Sequence, residues 1–564
     1  MATGSEWWRS AVIYQIYPRS FSDGGAGGTA GTGIGDLLGI TKRLPALTQL
    51  GVDAVWLSPF YPSPQNDAGY DVSDYCGVDP LFGTLDDFTT LEREAHALGL
   101  RLIVDLVPNH TSDQHAWFRA ALASSEGSDE RDHYMFRPGK GPDGDQPPNN
   151  WQSVFGGPAW TRITNPDGTP GQWYLHLFDT SQPDLNWQSE WVREQFRGIL
   201  RFWLDRGVDG FRVDVAHGLM KATGLPDYTP PANAGSMGAI GPESEILSQE
   251  ESPTPPYWAQ DTVHSIYRDW HRVLEEYPGE RVLCAEAWVE PLMKLARWVR
   301  PDEMQQAFNF SYLETPWNAP AIRTVVDASI AAFASVDAPS TWVLSNHDVV
   351  RHATRLALIG DHPQGAGLGV TSTGIPDRAF GLRRARAATA LMLALPGSSY
   401  LYQGEELGLP EVVDLPDASR QDPTWARTNH TRYGRDGCRV PIPWEAEAPS
   451  FGFSSGAESW LPQPPYWKEY ARDAQLGFPD STLELYRLAL RLRATEKLGT
   501  GRVEWLTGYP DSVIAFRNGD VRVFCNAGHD ELVMPAGDLM LASEAGGSGA
   551  LLPDTTVWLS SRWP

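Results

Sequence analysis

A (β/α)8 TIM barrel, with an inserted domain after strand 3 and a small C-terminal antiparallel β domain, is the α/β fold class this sequence predicts. Three observations predict it. Eight short apolar segments recur along the chain, AVIYQIYP, DAVWLSP, RLIVDLVP, GFRVDV, RVLCAEAW, QAFNFSY, TWVLSNHD and SSYLYQGEE, each bounded by polar or Pro/Gly-containing sequence. Stretches with helical spacing of apolar residues lie between them, at 37–50, 85–98, 191–204 and 385–395. That alternation implies a parallel sheet with outer helices. The fourth, fifth and seventh segments each end in an acid, Asp214, Glu286 and Asp348, and barrel enzymes carry their catalytic groups at the C-terminal ends of several strands.

The remaining sequence divides around that core. Residues 110–179, between the third and fourth strands, are too many for an ordinary connection and are rich in Gly, Pro, Asn and aromatics. They read as an inserted domain over the barrel mouth. Residues 1–109 and 180–495 then form the barrel, including a Pro- and Trp-rich excursion at 404–478 that shapes the cleft and precedes a helix at 482–494. Alternating segments such as DSVIAFRN, VRVFCNAG and TTVWLSS assign residues 496–564 to a β-sandwich.

Bulk properties narrow the function. A formal net charge of -26 opposes phosphate binding, which needs clustered Lys and Arg, so nucleic acid is not an expected partner. The four cysteines, Cys76, Cys284, Cys438 and Cys525, form no CxxC pair, so neither a zinc site nor a disulfide framework is expected. No basic segment leads into an apolar stretch at the N-terminus and no apolar run is long enough for a membrane. The expectation is a cytoplasmic protein that does not engage a membrane, monomeric or weakly homo-oligomeric.

The acids carry the chemistry. Arg212 and Asp214 are two apart on a strand, so they share a face, and the guanidinium is expected to lower the Asp214 pKa and suit it as a nucleophile. Glu286 follows an apolar strand, with Trp288 on the same face. That setting is expected to raise its pKa and let it act as an acid. Asp348 could bind sugar hydroxyls and keep Glu286 protonated. One such acid alone reads more readily as a structural ion pair; three at strand ends reverse that reading and point to cleavage of a glycosidic bond.

DLVPNH (105–110), GFRVDVAH, AEAW and SNHD, with GVDAVWLSPF and GEELG, resemble the four main and the auxiliary conserved stretches of one family, and by them the chain is identified as a member of glycoside hydrolase family 13, the α-amylase superfamily. The resemblance implies Asp214 as nucleophile, Glu286 as general acid/base and Asp348 as transition-state stabiliser, with Arg212, His110 and His347 around the reacting sugar. QPDLNW (182–187) resembles the oligo-1,6-glucosidase and α-glucosidase branch, and the wider context resembles actinobacterial-type α-glucosidases. By the same resemblance, Asp67 binds distal hydroxyls of a terminal glucose and Tyr70 stacks on its ring, while Phe155, Phe178, Gln182 and Arg435 are further pocket positions. Plain core packing stays open for the two phenylalanines. Val215, after the nucleophile, accompanies α-1,6 activity in this branch, whereas the wider context includes maltases, so linkage preference is open.

The resemblance implies small α-glucosides and sugar acceptors as partners, and an exo-acting, retaining α-glucosidase as the activity. Transglycosylation by a transglucosidase or a sucrose- or trehalose-type isomerase shares the first step, but no RLDRD-like isomerase motif follows the sixth strand. A catalytically inactive binding subunit, as among transporter heavy chains of this fold, would not need all three acids. Many relatives bind calcium in a DxNxDGxGD loop after the first strand. Here FSDGGAGGTAGTGIGD puts Ala30 and Thr32 at ligand positions and displaces Asp23, so no cofactor is expected and the calcium site reads as lost. A phosphate cradle is the alternative for this glycine-rich loop, but no GKS or GKT follows.

Overall fold

The computed structural model describes residues 6–25, 31–229, 254–360, 362–456, 458–544 and 549–561. Eight parallel strands run β1 Val12–Ile16, β2 Ala54–Leu57, β3 Arg101–Leu106, β4 Gly210–Val213, β5 Val282–Ala285, β6 Gln306–Ala307, β7 Thr341–Val343 and β8 Ser398–Tyr402. They are ordered β7-β8-β1-β2-β3-β4-β5-β6. A parallel bridge from Phe308 to Thr341 closes the ring. Nearly every strand residue is buried, as both faces of a barrel wall are covered.

The outer helices begin where local chemistry starts them. Asp36 caps Leu37–Leu50 by accepting from the Gly39 N–H, and Gly51 at φ 100° ends it in the left-handed conformation that a Cβ disfavours. Thr84 and Asp87 form a reciprocal capping box on Leu85–Ala97. Arg378–Leu393 starts earlier than its apolar spacing suggests, because Asp377 accepts from Ala379 and Phe380. The sixth strand is shorter than expected: QAFNFSY is strand only over Gln306–Ala307, with a single bridge at Phe308 beyond it, and Asn309 then caps the helix Phe310–Glu314 by accepting from Tyr312 N at 3.0 Å. A strong cap there outcompetes the alternating pattern.

The segment between β3 and β4 holds a three-stranded antiparallel sheet, with Pro170–Leu175 between Phe136–Arg137 and Trp160–Thr164. Residues 404–478 contain helices and turns among the described residues, including Pro423–Arg427 and Asp436–Arg439. Near the C-terminus, a five-stranded sheet runs in the order Glu504–Trp505, Val513–Asn518, Val521–Asn526, Thr555–Ser560, Leu539–Ala542. Its alternation is used twice: Ile514, Phe516, Val523, Cys525 and Trp558 join the barrel's core, while Val513, Ala515, Phe524, Val557 and Leu559 pack with Leu551. Leu551 belongs to a second, two-stranded sheet of Leu532–Val533 and Ala550–Leu551, which makes the unit a small sandwich.

Candidate active site

Asp214 and Glu286 immediately follow β4 and β5, and Asp348 lies beyond the end of β7, so all three acids occupy the C-terminal rim. Register does the first part of the positioning. Asp105 on β3 lies opposite Arg212 on β4, and the Arg212 guanidinium serves both neighbouring acids. Its Nη1 donates to Asp214 Oδ1 at 2.6 Å and to Asp105 Oδ1 at 3.1 Å. Trp56 Nε1 and Tyr70 OH each donate to Asp105 Oδ2 at 3.2 Å. Removing the Arg212 guanidinium would leave both carboxylates without their cation, and breaking a buried ion pair in this way typically costs about 3–5 kcal/mol.

One electrostatic expectation is corrected here. Asp214 is not depressed: burial raises its pKa, Arg212 and then His110 pull it down, Asp348 pushes it up, and the net shift is upward. A single guanidinium divided between two carboxylates does not outweigh their desolvation. Asp105, raised mainly by burial, reaches about 7. Glu286 behaves as expected, pushed to about 8 by burial, with Asp214 and Asp348 adding to the rise against Arg212.

Asp348 is the acid held well below the ordinary range. Burial would raise it, but His347, Arg435 and Arg439 outweigh that. Its Oδ1 accepts from Arg435 Nη1 at 2.9 Å and Arg439 Nη2 at 3.0 Å. His347 Nε2 lies 3.2 Å from Oδ2. Burial drives the His347 pKa far down, so it is a neutral ring at physiological pH. That ring is stacked between Tyr70, at 5.1 Å, and Tyr17, at 5.6 Å. Tyr70 therefore spends one face on His347.

Across the cleft, Asp67 Oδ1 pairs with Arg435 Nη2 at 2.7 Å and Oδ2 accepts from Gln182 Nε2 at 3.1 Å. The same Gln182 nitrogen lies 3.1 Å from His110 Nε2. Phe155 supports Arg435, whose guanidinium carbon sits 5.2 Å from the ring centre. Phe155 meets Phe178 edge-on at 5.8 Å, and Phe178 lies 5.1 Å from His110. Val215 donates its N–H to Glu286 Oε2 at 2.7 Å. The structure thus gathers every expected site residue into one connected cluster, which opens towards Trp288, Gln364 and Arg432. A cavity of about 490 Å3 beside Arg137 and Lys221 touches none of them.

Sequence reasoning gave no role to several members. Asp422 holds Arg435 Nε at 2.5 Å and its backbone N–H at 2.9 Å; nothing in the local sequence marks it. Arg439 was findable, because it lies four residues after Arg435 around a helical turn and so shares its face. Asp105 stood in a quoted motif, but its partnership with Arg212 appears only once β3 and β4 are in register.

Among the described residues, the carboxylates of the loop after β1 already accept from donors of the protein itself. Asp23 Oδ2 accepts from Ser454 Oγ at 2.7 Å and Gly33 N at 3.0 Å. Asp36 Oδ1 accepts from Gly39 N at 2.6 Å and Gly24 N at 3.0 Å. The Lys42 ammonium donates to Gly24 O at 2.8 Å. N–H donors and a fixed ammonium face the oxygens that would bind a cation, and both disfavour one. Ala30 lies outside the described residues. Cys76, Cys284, Cys438 and Cys525 are free thiols, and no described helix is long and apolar enough to cross a membrane.

The chain resembles known proteins over nearly its whole length. The family described as alpha amylase, catalytic domain, matches residues 15–501. A probable alpha-glucosidase of Rhizobium meliloti (strain 1021) is 39% identical over 538 residues, covering 92% of this chain and 89% of that protein. An oligo-1,6-glucosidase of Parageobacillus thermoglucosidasius is 33% identical, covering 86% and 83%. Among solved structures, the alpha-glucosyl transfer enzyme XgtA superposes with a TM-score of 0.81 at 35% identity, covering 99% of this chain and all 100% of that one. The trehalulose synthase MutB of Pseudomonas mesoacidophila MX-45 gives 0.80 at 29% identity, with the same 99% and 100% coverage.

Proposed function

We propose, from the premise that this chain belongs to the α-amylase family of glycoside hydrolases, that it is a retaining, exo-acting α-glucosidase working through a β-glucosyl-Asp214 intermediate. The observation that carries the retaining mechanism is register. Glu286 N–H donates to Val213 O at 2.9 Å, which sets Asp214 opposite Glu286 on adjacent parallel strands. Such strands are about 4.8 Å apart, and retaining glycosidases keep their two carboxyls about 5–5.5 Å apart, whereas inverting ones leave room for a water.

In this reading Asp214 attacks the anomeric carbon from the β face as Glu286 gives its proton to the departing oxygen. The glycosidic bond breaks and an ester to Asp214 forms. Glu286, now a carboxylate, takes a proton from water, whose oxygen displaces Asp214 and yields α-glucose. Asp348, kept ionised by Arg435 and Arg439, stabilises positive charge on the sugar ring. Exo action is supported by Arg435, which joins Asp67 to Asp348 and walls off the end beyond the terminal glucose.

Glucose release from kojibiose, nigerose, maltose, isomaltose and sucrose, measured with EDTA present and oligosaccharide products followed in parallel, tests this reading. Glucose without larger products is expected, with activity undiminished by the chelator because the β1 loop is held by Asp23, Asp36 and Lys42. Silence on all five, or loss of activity that added calcium restores, would contradict it. A second reading, transfer of glucose to a sugar acceptor, is favoured by the full-length likeness to XgtA at 35% identity; larger products would select it.

Arg435→Lys separates a fork from a point charge. A lysine cannot bridge Asp67, Asp348 and Asp422 together, so kcat/KM on the preferred disaccharide should fall about 10–100-fold, equivalent to one charged hydrogen bond. Wild-type kinetics in this variant would remove Arg435 from the pocket wall.

A further inference from the structure

The ladder between β4 and β5 skips a residue beside the nucleophile. In a regular parallel pair, a residue that donates its N–H to one carbonyl accepts at its own carbonyl from the residue two positions further along that neighbour. Glu286 donates to Val213 O, so the regular donor to Glu286 O is Val215. Instead Ala216 N–H donates to Glu286 O, at 2.8 Å. Val215 is therefore an extra residue, a bulge, and its φ of 44° is left-handed backbone that a β-branched side chain adopts only under constraint.

The constraint is visible. Val215 is buried, its carbonyl accepts from Gly218 N–H at 2.8 Å, and the Ala216 carbonyl accepts from Tyr267 OH and, at 3.2 Å, from Trp298 Nε1. Strain held this firmly at a reacting centre points to a use. The N–H that the bulge releases from the ladder is the one that reaches Glu286 Oε2 at 2.7 Å.

We infer that Val215 is a positioning residue for the general acid: its displaced N–H reserves Glu286 Oε2 as the acceptor oxygen, so the transferable proton rides on Oε1. The inference rests on the glycosidase reading above. As the proton leaves Oε1 for the departing oxygen, negative charge develops on the carboxylate and the Val215 hydrogen bond strengthens. It therefore stabilises the transition state more than the ground state. In the second half of the reaction the same bond holds Oε1 towards the attacking water.

The test replaces Val215 with its α-hydroxy acid, which turns the Asp214–Val215 amide into an ester and deletes the N–H without touching the side chain. Substrates whose leaving group needs protonation and one that does not, α-glucosyl fluoride, are compared. A charged hydrogen bond of this kind corresponds to about 10–100-fold in rate. That loss is expected in kcat/KM on the preferred disaccharide, with little change on the fluoride. The alkaline limb of the pH profile should also move upward by about one to two units, because the N–H favours the ionised carboxylate. Equal losses on both substrates, or an unmoved limb, would overturn the inference.

A measurement on the unaltered protein guards against a variant that does not fold. The 15N–1H resonance of Val215 should titrate with the midpoint of the alkaline limb, and that titration should vanish in Glu286→Gln. A Val215 resonance indifferent to pH would refute the assignment. Should the unaltered protein fail to cleave α-glucosyl fluoride, the glucosidase reading fails instead.

Discussion

Asp214→Asn is expected to lower kcat by at least about 10^4-fold on every substrate the enzyme cleaves, the scale on which removing a nucleophile acts. The variant should remain folded. Asparagine fills the same volume, Arg212 keeps its bond to Asp105 Oδ1 at 3.1 Å, and one of two carboxylates competing for that guanidinium loses its charge. The loss is therefore chemical. Among the described residues, Asp105 is the only other carboxylate paired with Arg212, and Tyr70 OH and Trp56 Nε1 fix it by hydrogen bonds, so it cannot swing out to attack. Steady-state kinetics with circular dichroism as the folding control checks this. Activity within about 10-fold of the parent would reassign the nucleophile.

Glu286→Gln should cost about 10^2–10^4-fold on disaccharides, the range of general acid catalysis, and far less in the first step on α-glucosyl fluoride, since fluoride departs without a proton. The pH profile carries the sign. Glu286 is raised to about 8, so below that pH it holds the proton the first step needs, and the rate on disaccharides falls as pH rises through about 8. In the variant nothing titrates at that position and the alkaline limb should disappear. An alkaline limb that survives with its midpoint unmoved would show that another group donates the proton.

The barrel was legible because its determinants are local. Apolar runs four to eight residues long, helical spacing between them and an acid at a strand's end can be read without knowing what lies across the ring. QAFNFSY shows where this breaks down: Asn309 caps a helix, and a single side-chain acceptor decided against the alternation around it. The pocket residues were legible as motif positions, and they do meet in the structure. Their electrostatics were not. Asp214 was expected to be depressed because Arg212 is two residues away, yet the same guanidinium is shared with Asp105, which becomes its neighbour only through strand register. The strongly depressed acid is Asp348, and two of its cations, Arg435 and Arg439, come from the excursion after β8, far along the chain. Val215 was singled out for its side chain, whereas its backbone does something no residue type announces.

Peptide mass analysis of Glu286→Gln after brief exposure to α-glucosyl fluoride tests the central claim most directly. With the acid/base removed, the first step still proceeds and the second, which needs a base to activate water, is slowed. The account predicts one glucosyl unit attached covalently to the peptide containing Asp214, removed on adding azide with release of α-glucosyl azide. A modification on any other residue, or turnover of the fluoride with no covalent species and release of β-glucose, would contradict it.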